Sequence, residues 1–305
     1  MRKFVRNIVS SLWLSLILVL AGAQSAPFAI AQQPASKASP PTTQPPATPP
    51  QTSSQPARDI KARVTETLID ASIADDAAVD KLVAVYSPKV RALDVIIGKL
   101  KGELKKAGIG AGSLGNFVAD GMRAQAAVKL GKPVDLAVMN GGGLRRNTIG
   151  EGELRARDIF ELLPFENALV TIDLTAEQVL KLLGVVVSSR EAQSGAQITY
   201  VIKADKSSQL EAAKLLDQKG REREIDPTAT YTVVTIDYLI NVGGDRYAVL
   251  RGGKNTRPLG ITVRDVIMDY VKSKTAAGRD IKPNLDGRYV LDRTNSVLTG
   301  EMPPR

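Results

Sequence analysis

The stretch Val134–Met139, apolar except for Asp135, ends at Asn140 and opens into three consecutive glycines, Gly141–Gly143, followed by Leu144 and Arg145. Glycines after a strand let backbone amides approach a ligand closely, and the arginine adds a planar fork suited to phosphate or carboxylate oxygens. A polar stretch then leads to Leu163-Pro164-Phe165-Glu166-Asn167. Alone, a glycine-rich turn after a strand is more often only a turn. What gives it weight is its company: Gly115-Asn116 upstream, and Ser194-Gly195 and Gly243-Gly244-Asp245 downstream.

The residues that are missing narrow the chemistry further. The chain has no histidine and no cysteine. Zinc sites draw on those two residue types, and Ser-His or Cys-His nucleophilic pairs need them as well. A magnesium or calcium site built from carboxylates stays open, yet no D-x-D-x-D loop occurs, and Asp75-Asp76 reads as a solvated turn. The formal net charge is +9. Four of those cations, Arg2, Lys3, Arg6 and Lys37, precede residue 57, where no acidic residue stands, which leaves +5 dispersed over the rest. No basic run interleaved with aromatics appears, so nucleic acid is not the expected partner, while a mild positive field favours small anions.

Those residues must be positioned by a folded region, and the chain announces where it begins. Arg2, Lys3 and Arg6 precede an uncharged apolar run from about Ile8 to Ala23, the layout of a secretory signal. Ala29-Ile30-Ala31 supplies an A-x-A site, so residues 1–31 are expected to be removed, with Ala23 and Ala26 as alternative cleavage points. Residues 32–58 are rich in Pro, Ser, Thr and Gln and read as a disordered tether. Residues 59–297 form the expected domain and 298–305 a tail. The implied location is periplasmic or secreted, in a bacterial envelope, with no membrane span once the signal is cut.

Within the domain, apolar spacing at Leu114, Phe117, Val118 and Met122 predicts a helix through Leu130. Strands are predicted at Val134–Met139, Ala168–Leu174, Gln197–Lys203 and Tyr231–Asp237. Thr175 with Gln178 predicts a capping box at the start of a helix. Further helices are predicted near Ser208–Asp217 and Thr262–Lys274. The alternation lacks a strict βαβ rhythm and implies an α/β to α+β fold with mixed β-sheets and flanking helices.

The segments SLGNFVADGMR, LAVMNGGGLRRNTIGEGELRARDIFELLPFENALVTIDLTAEQVLKLL and YTVVTIDYLINVGGDRY, in this order and spacing, resemble the C-terminal, substrate-binding domain of the 5'-nucleotidases. The resemblance runs from about Ile69 to Val290. It implies that Arg145 contacts substrate phosphate, with Asn140 opening the same turn. It further implies that Phe165 stacks on a base, Asn167 meets the base edge, Gly195 lines the base pocket and Asp245 accepts from ribose hydroxyls. Two positions depart from the family pattern. The second stacking phenylalanine, six residues before the aspartate of GGD, is here Leu239, with Tyr238 beside it, and an upstream arginine falls at Gly108.

Each of these residues also has a purely structural reading. Phe165 could be core, Asn140 and Asn167 could satisfy loop backbone, Asp245 could form a turn, and Arg146 reads as a solvent-facing neighbour of Arg145. In the family the two-metal catalytic site belongs to a separate, histidine-dependent N-terminal domain. The resemblance therefore implies a nucleotide- or nucleoside-binding module with no cofactor of its own, and divalent metals only in a separately encoded metallophosphatase partner. Two rival readings remain: a self-sufficient hydrolase with a carboxylate metal site, and an envelope module with a decayed pocket.

Overall fold

The computed structural model describes residues 63–297. The expected signal segment 1–31, tether 32–58 and tail 298–305, together with residues 59–62, lie outside the described residues. The compact unit described here runs from Ile69 onward.

It begins with helix α1 (Ala77–Arg91), followed by strands β1 (Ile96–Leu100) and β2 (Leu104–Lys105), helix α2 (Gly112–Leu130) and strand β3 (Leu136–Met139). The short strands β4 (Thr148–Ile149) and β5 (Gly152–Arg155) lead into α3 (Ala156–Leu162), β6 (Ala168–Thr175) and α4 (Ala176–Ser189). Strands β7 (Ala192–Ser194), β8 (Ala196–Ile202), β9 (Ser208–Leu216), β10 (Glu222–Arg223) and β11 (Thr230–Ile236) come next. The chain then forms the short helices α5 (Asp237–Asn241) and α6 (Ala248–Arg251), strand β12 (Lys254–Thr262), helix α7 (Val263–Ala276) and strand β13 (Tyr289–Leu291).

Two sheets organise the unit. Five strands form a mixed sheet in the order β12-β6-β11-β3-β7, in which only β11 and β3 run parallel. Four strands form a second sheet in the order β10-β9-β8-β13, with β8 and β13 parallel. This is the mixed α/β architecture that the sequence implies. All four residues of β3 are buried, as expected for a strand covered on both faces. Helix α4 starts with the predicted Thr175–Gln178 capping box and buries Val179, Leu182, Leu183, Val186 and Val187, one continuous helical stripe.

Two sequence expectations are corrected. Residues 208–217 were predicted helical, from the helix formers in SQLEAAKLL, but they form β9, paired antiparallel with β8. The turn before it decides the matter. Asp205 accepts from the Ser207 backbone and hydroxyl, and Lys206 takes a left-handed φ of 65°, which closes a tight hairpin. Sheet pairing then overrides local propensity. Asp76, read as a solvated turn, caps α1 by accepting from the amides of Ala78 and Val79 at 2.8 and 3.1 Å.

Candidate functional site

Strand β3, between β11 and the edge strand β7, delivers the chain to the glycine turn. After Met139 the turn closes with Gly143 N–H donating to the Asn140 carbonyl at 3.0 Å and Leu144 N–H to the Gly141 carbonyl at 3.2 Å. A side chain at Gly143 would strike the Met139 methyl and the Asn140 amide. From below, the buried Glu191 carboxylate accepts the Gly141 N–H. Its other oxygen accepts from the Tyr247 hydroxyl at 2.6 Å. Burial, reinforced by that carboxylate, holds the Tyr247 hydroxyl protonated well above the ordinary tyrosine range.

Leu144 is buried, so Arg145 is turned outward, and its own amide is tied to the Leu162 carbonyl at 2.9 Å. That bond joins the glycine turn to the end of α3, where Leu163-Pro164 directs Phe165 into the open. The Arg145 guanidinium lies 5.9 Å from the centroid of the Phe165 ring and makes only a long contact, 3.5 Å, to the Gly142 carbonyl. Phe165 is 48 % exposed, which removes the core reading for this ring.

Asn140, Gly142, Gly143, Arg145, Phe165, Asn167 and Tyr238 line one cavity of about 370 Å³. Four of the six expected site residues therefore converge, brought from two segments some twenty residues apart. The third wall is Tyr238, from the first turn of α5. The neighbouring Leu239 is fully buried. Residues 237–241 are helical, not strand, so these two side chains diverge by about 100°. The second ring at this site is thus Tyr238. Asp237 fixes the arrangement by accepting from the Ala168 amide at 3.0 Å and the Tyr238 amide at 2.8 Å, which ties the Phe165–Asn167 loop to α5. Sequence reasoning passed over Asp237; its place at the end of a strand and the start of a helix was the available signal.

A larger cavity of about 720 Å³ adjoins the first and shares Asn140, Gly142 and Tyr238 with it. It carries three cations that the sequence did not single out, Lys106, Arg190 and Arg246, together with Glu191 and Asn147. Gly108, where the family pattern has an arginine, also lines it. Its φ of 58° and ψ of −151° belong to a region that only glycine occupies readily, so this backbone has no place for an arginine. Lysine and arginine side chains from other elements provide the positive charge there.

Two expected site residues lie elsewhere. Asp245 lines neither cavity; its side chain is fully exposed and stands 3.6 Å from Arg251. Gly195 sits between β7 and β8, beside Asp135, at the opposite end of β3 from Asn140, roughly 16 Å away. Its φ is 110°, and a Cβ there would fall 2.1 Å from the Asp135 carbonyl. Gly195 is the corner at which the chain leaves one sheet for the other.

The chain has no histidine or cysteine, and among the described residues no group of three or more metal-ligating side chains occurs.

Residues 94–252, just over half of the chain, match the family model of the 5'-nucleotidase C-terminal domain. Similar proteins include the trifunctional nucleotide phosphoesterase protein YfkN of Bacillus subtilis, 28% identical over 58% of this chain and 12% of that protein. Protein UshA of Yersinia enterocolitica is 28% identical over 66% of this chain and 35% of its own length. Among solved structures, the 5'-nucleotidase precursor of Thermus thermophilus superposes with a TM-score of 0.60 at 26% identity, covering 71% of this chain and 43% of that one. The chain thus spans less than half the length of each of these relatives, and it belongs to the 5'-nucleotidase C-terminal domain family.

Proposed function

We propose that this chain is an exported module of the bacterial envelope that binds a nucleotide or nucleoside-like compound in nucleotide catabolism. It holds its ligand for hydrolysis by a separately encoded metallophosphatase, which brings the divalent metals. The observation that carries this reading is the convergence of Arg145, Phe165, Asn167 and Tyr238 on one cavity. A cation beside two partly exposed rings and two amides suits a flat heterocycle bearing an anionic group. Arg145 supplies the charge-assisted contact, Phe165 and Tyr238 cover the faces of the base, and Asn167 meets its edge. Export rests on the basic and apolar N-terminus with its A-x-A site.

The test is dye-based or calorimetric melting of the mature protein against nucleosides and nucleoside mono- and diphosphates. A ligand at a hundred times its Kd raises stability by about 2.7 kcal/mol. Nucleotides should shift the melting temperature more than nucleosides, and Arg145→Ala should narrow that gap. No shift across the set, or an unchanged shift in both Arg145→Ala and Phe165→Ala, would remove the reading. Vigorous phosphate release by the chain alone, in zinc, manganese, magnesium or calcium, would instead favour a self-sufficient hydrolase.

A further inference from the structure

Helix α1 has no buried residue. Ser87 is its one part-buried residue, and the other fourteen are exposed. Yet it is not polar all round. Val79, Leu82, Val83, Tyr86 and Val90 are each more than half exposed and recur at i, i+3, i+4, i+7 and i+11. At 100° per residue they occupy one stripe about 100° wide, the pattern of a helix with a face to bury. Five such side chains make a patch on the order of a few hundred Å², the size that marks interaction sites on soluble proteins. A helix of this length is marginal in water without a packed face, and Pro88 removes one of its own hydrogen bonds.

The charges along α1 indicate what covers this stripe. Asp75, Asp76 and Asp80 stand at its start, and Lys89 and Arg91 at its end. Lys81 lies on the far side, away from the apolar stripe. A sequence acidic at one end and basic at the other complements a second copy of itself laid antiparallel, as a two-fold interface requires. With the axis between residues 84 and 85, Val79 meets Val90 of the second copy and Val83 meets its Tyr86. Asp80 and Arg91 of the second copy then fall on the same flank, at nearly the same height. We propose that the chain forms a symmetric dimer through antiparallel pairing of α1 with α1 of a second copy.

The full mature chain should show a concentration-dependent monomer–dimer equilibrium by sedimentation and light scattering from the micromolar to the submillimolar range. Leu82→Glu with Tyr86→Glu should be monomeric throughout and melt like wild type at concentrations where wild type is monomeric, because both positions are exposed. Asp80→Arg and Arg91→Asp should each weaken the dimer several-fold, as exposed ion pairs allow. The combined exchange, Asp80→Arg with Arg91→Asp, should recover most of that loss. Hydrogen exchange over residues 79–90 should slow as concentration rises. Wild type that stays monomeric, a dimer that survives Leu82→Glu with Tyr86→Glu, or no recovery in the charge exchange would each overturn the proposal. So would protection of α1 independent of concentration, since that assigns the stripe to another segment of the same chain.

Discussion

Strand β3 has a glycine beside each of its ends, and the two ends are finished differently. At the Asp135 end every strong polar group has a protein partner. Asp135 pairs with Arg223 and accepts the Thr232 amide at 2.8 Å. Arg123 donates to the Val134 carbonyl at 2.9 Å and to the Leu216 carbonyl at 2.6 Å. Gly195 is locked beneath them. At the Asn140 end the buried Asn140 Oδ1 has no partner, and Arg145 holds only a long contact and a distant place over the Phe165 ring. Both ends carry glycine, arginine and an acid or amide, so residue type does not separate them. What separates them is whether the hydrogen-bonding capacity is already spent within the protein or left facing a cavity.

The sharpest way to break this comparison is Gly195→Ala. The added methyl would meet the Asp135 carbonyl at 2.1 Å on a backbone of φ 110°, so at least about 3 kcal/mol of stability should be lost. Ligand affinity of the protein that still folds should be unaffected. Urea titration measures the first and calorimetric titration the second. A variant of normal stability with weakened binding would return Gly195 to the ligand site.

At the other end the pattern reverses. Arg145→Ala and Phe165→Ala remove exposed groups and should leave the urea midpoint nearly unchanged. Each should weaken nucleotide binding by about 1–3 kcal/mol, the range of a charge-assisted hydrogen bond or of a base stacked on an aromatic ring. If either variant unfolds as readily as Gly195→Ala, the Asn140 end is also structural.

The contrast explains what could be read from the sequence. Strand β3, strand β6 and helix α4 were legible because apolar period and caps act locally. Strand β9 was not, because its pairing with β8 depends on a hairpin turn rather than on its own helix-forming residues. Asn140, Arg145, Phe165 and Asn167 are singled out only by the resemblance, and the fold brings them to one cavity. Gly195 has its base-pocket role only from the resemblance, and it flanks the Asp135 end of β3, which a glycine in a matching segment does not disclose. Which of Tyr238 and Leu239 faces the cavity is not legible in the sequence, because Asp237 reads as the end of a strand and instead opens α5, whose first turn sets the phase. Lys106, Arg190 and Arg246 come from three distant segments, so no local pattern announces their shared cavity. Helix α1 was overlooked, although Asp76 and the spacing of Val79, Leu82, Val83 and Tyr86 offered the usual signals.

The support beneath the glycine turn gives a smaller, pH-dependent effect. Tyr247 and Tyr289 both donate to Glu191, to its carboxylate and its carbonyl respectively, and burial raises both above the ordinary value of 10. Tyr270, on α7 and packed against the core, is pushed up to about 12 by burial, with the Asp120 charge adding to it. A raised folded-state value means that the unfolded chain gives up these protons first as the pH climbs. Stability is therefore full below about pH 10 and falls as pH rises beyond it. Tyr247→Phe should flatten part of that decline, while lowering stability at neutral pH by about 1–2 kcal/mol through the lost hydrogen bond to Glu191. Urea midpoints between pH 8 and 11 would show both effects, and a flat wild-type profile would contradict the burial argument.

Asp245→Ala should have the smallest effect of all. The resemblance implies a contact to ribose hydroxyls, but this carboxylate is fully exposed, lies outside both cavities and faces Arg251 at 3.6 Å. An exposed ion pair of that length adds little, so stability should change by less than about 0.5 kcal/mol. For binding, two outcomes bear directly on the contrast between preformed and unformed parts of the site. If the cavity shared by Arg145, Phe165 and Tyr238 captures the ligand as it stands, Asp245→Ala weakens nucleotides far less than Phe165→Ala does, and ribo- and deoxyribonucleotides bind alike. If Asp245→Ala instead matches Phe165→Ala and abolishes a preference for ribose, the Gly243-Gly244-Asp245 turn moves inward when the ligand arrives. Gly244, at φ 73°, is the position in that turn whose conformation would then have to change.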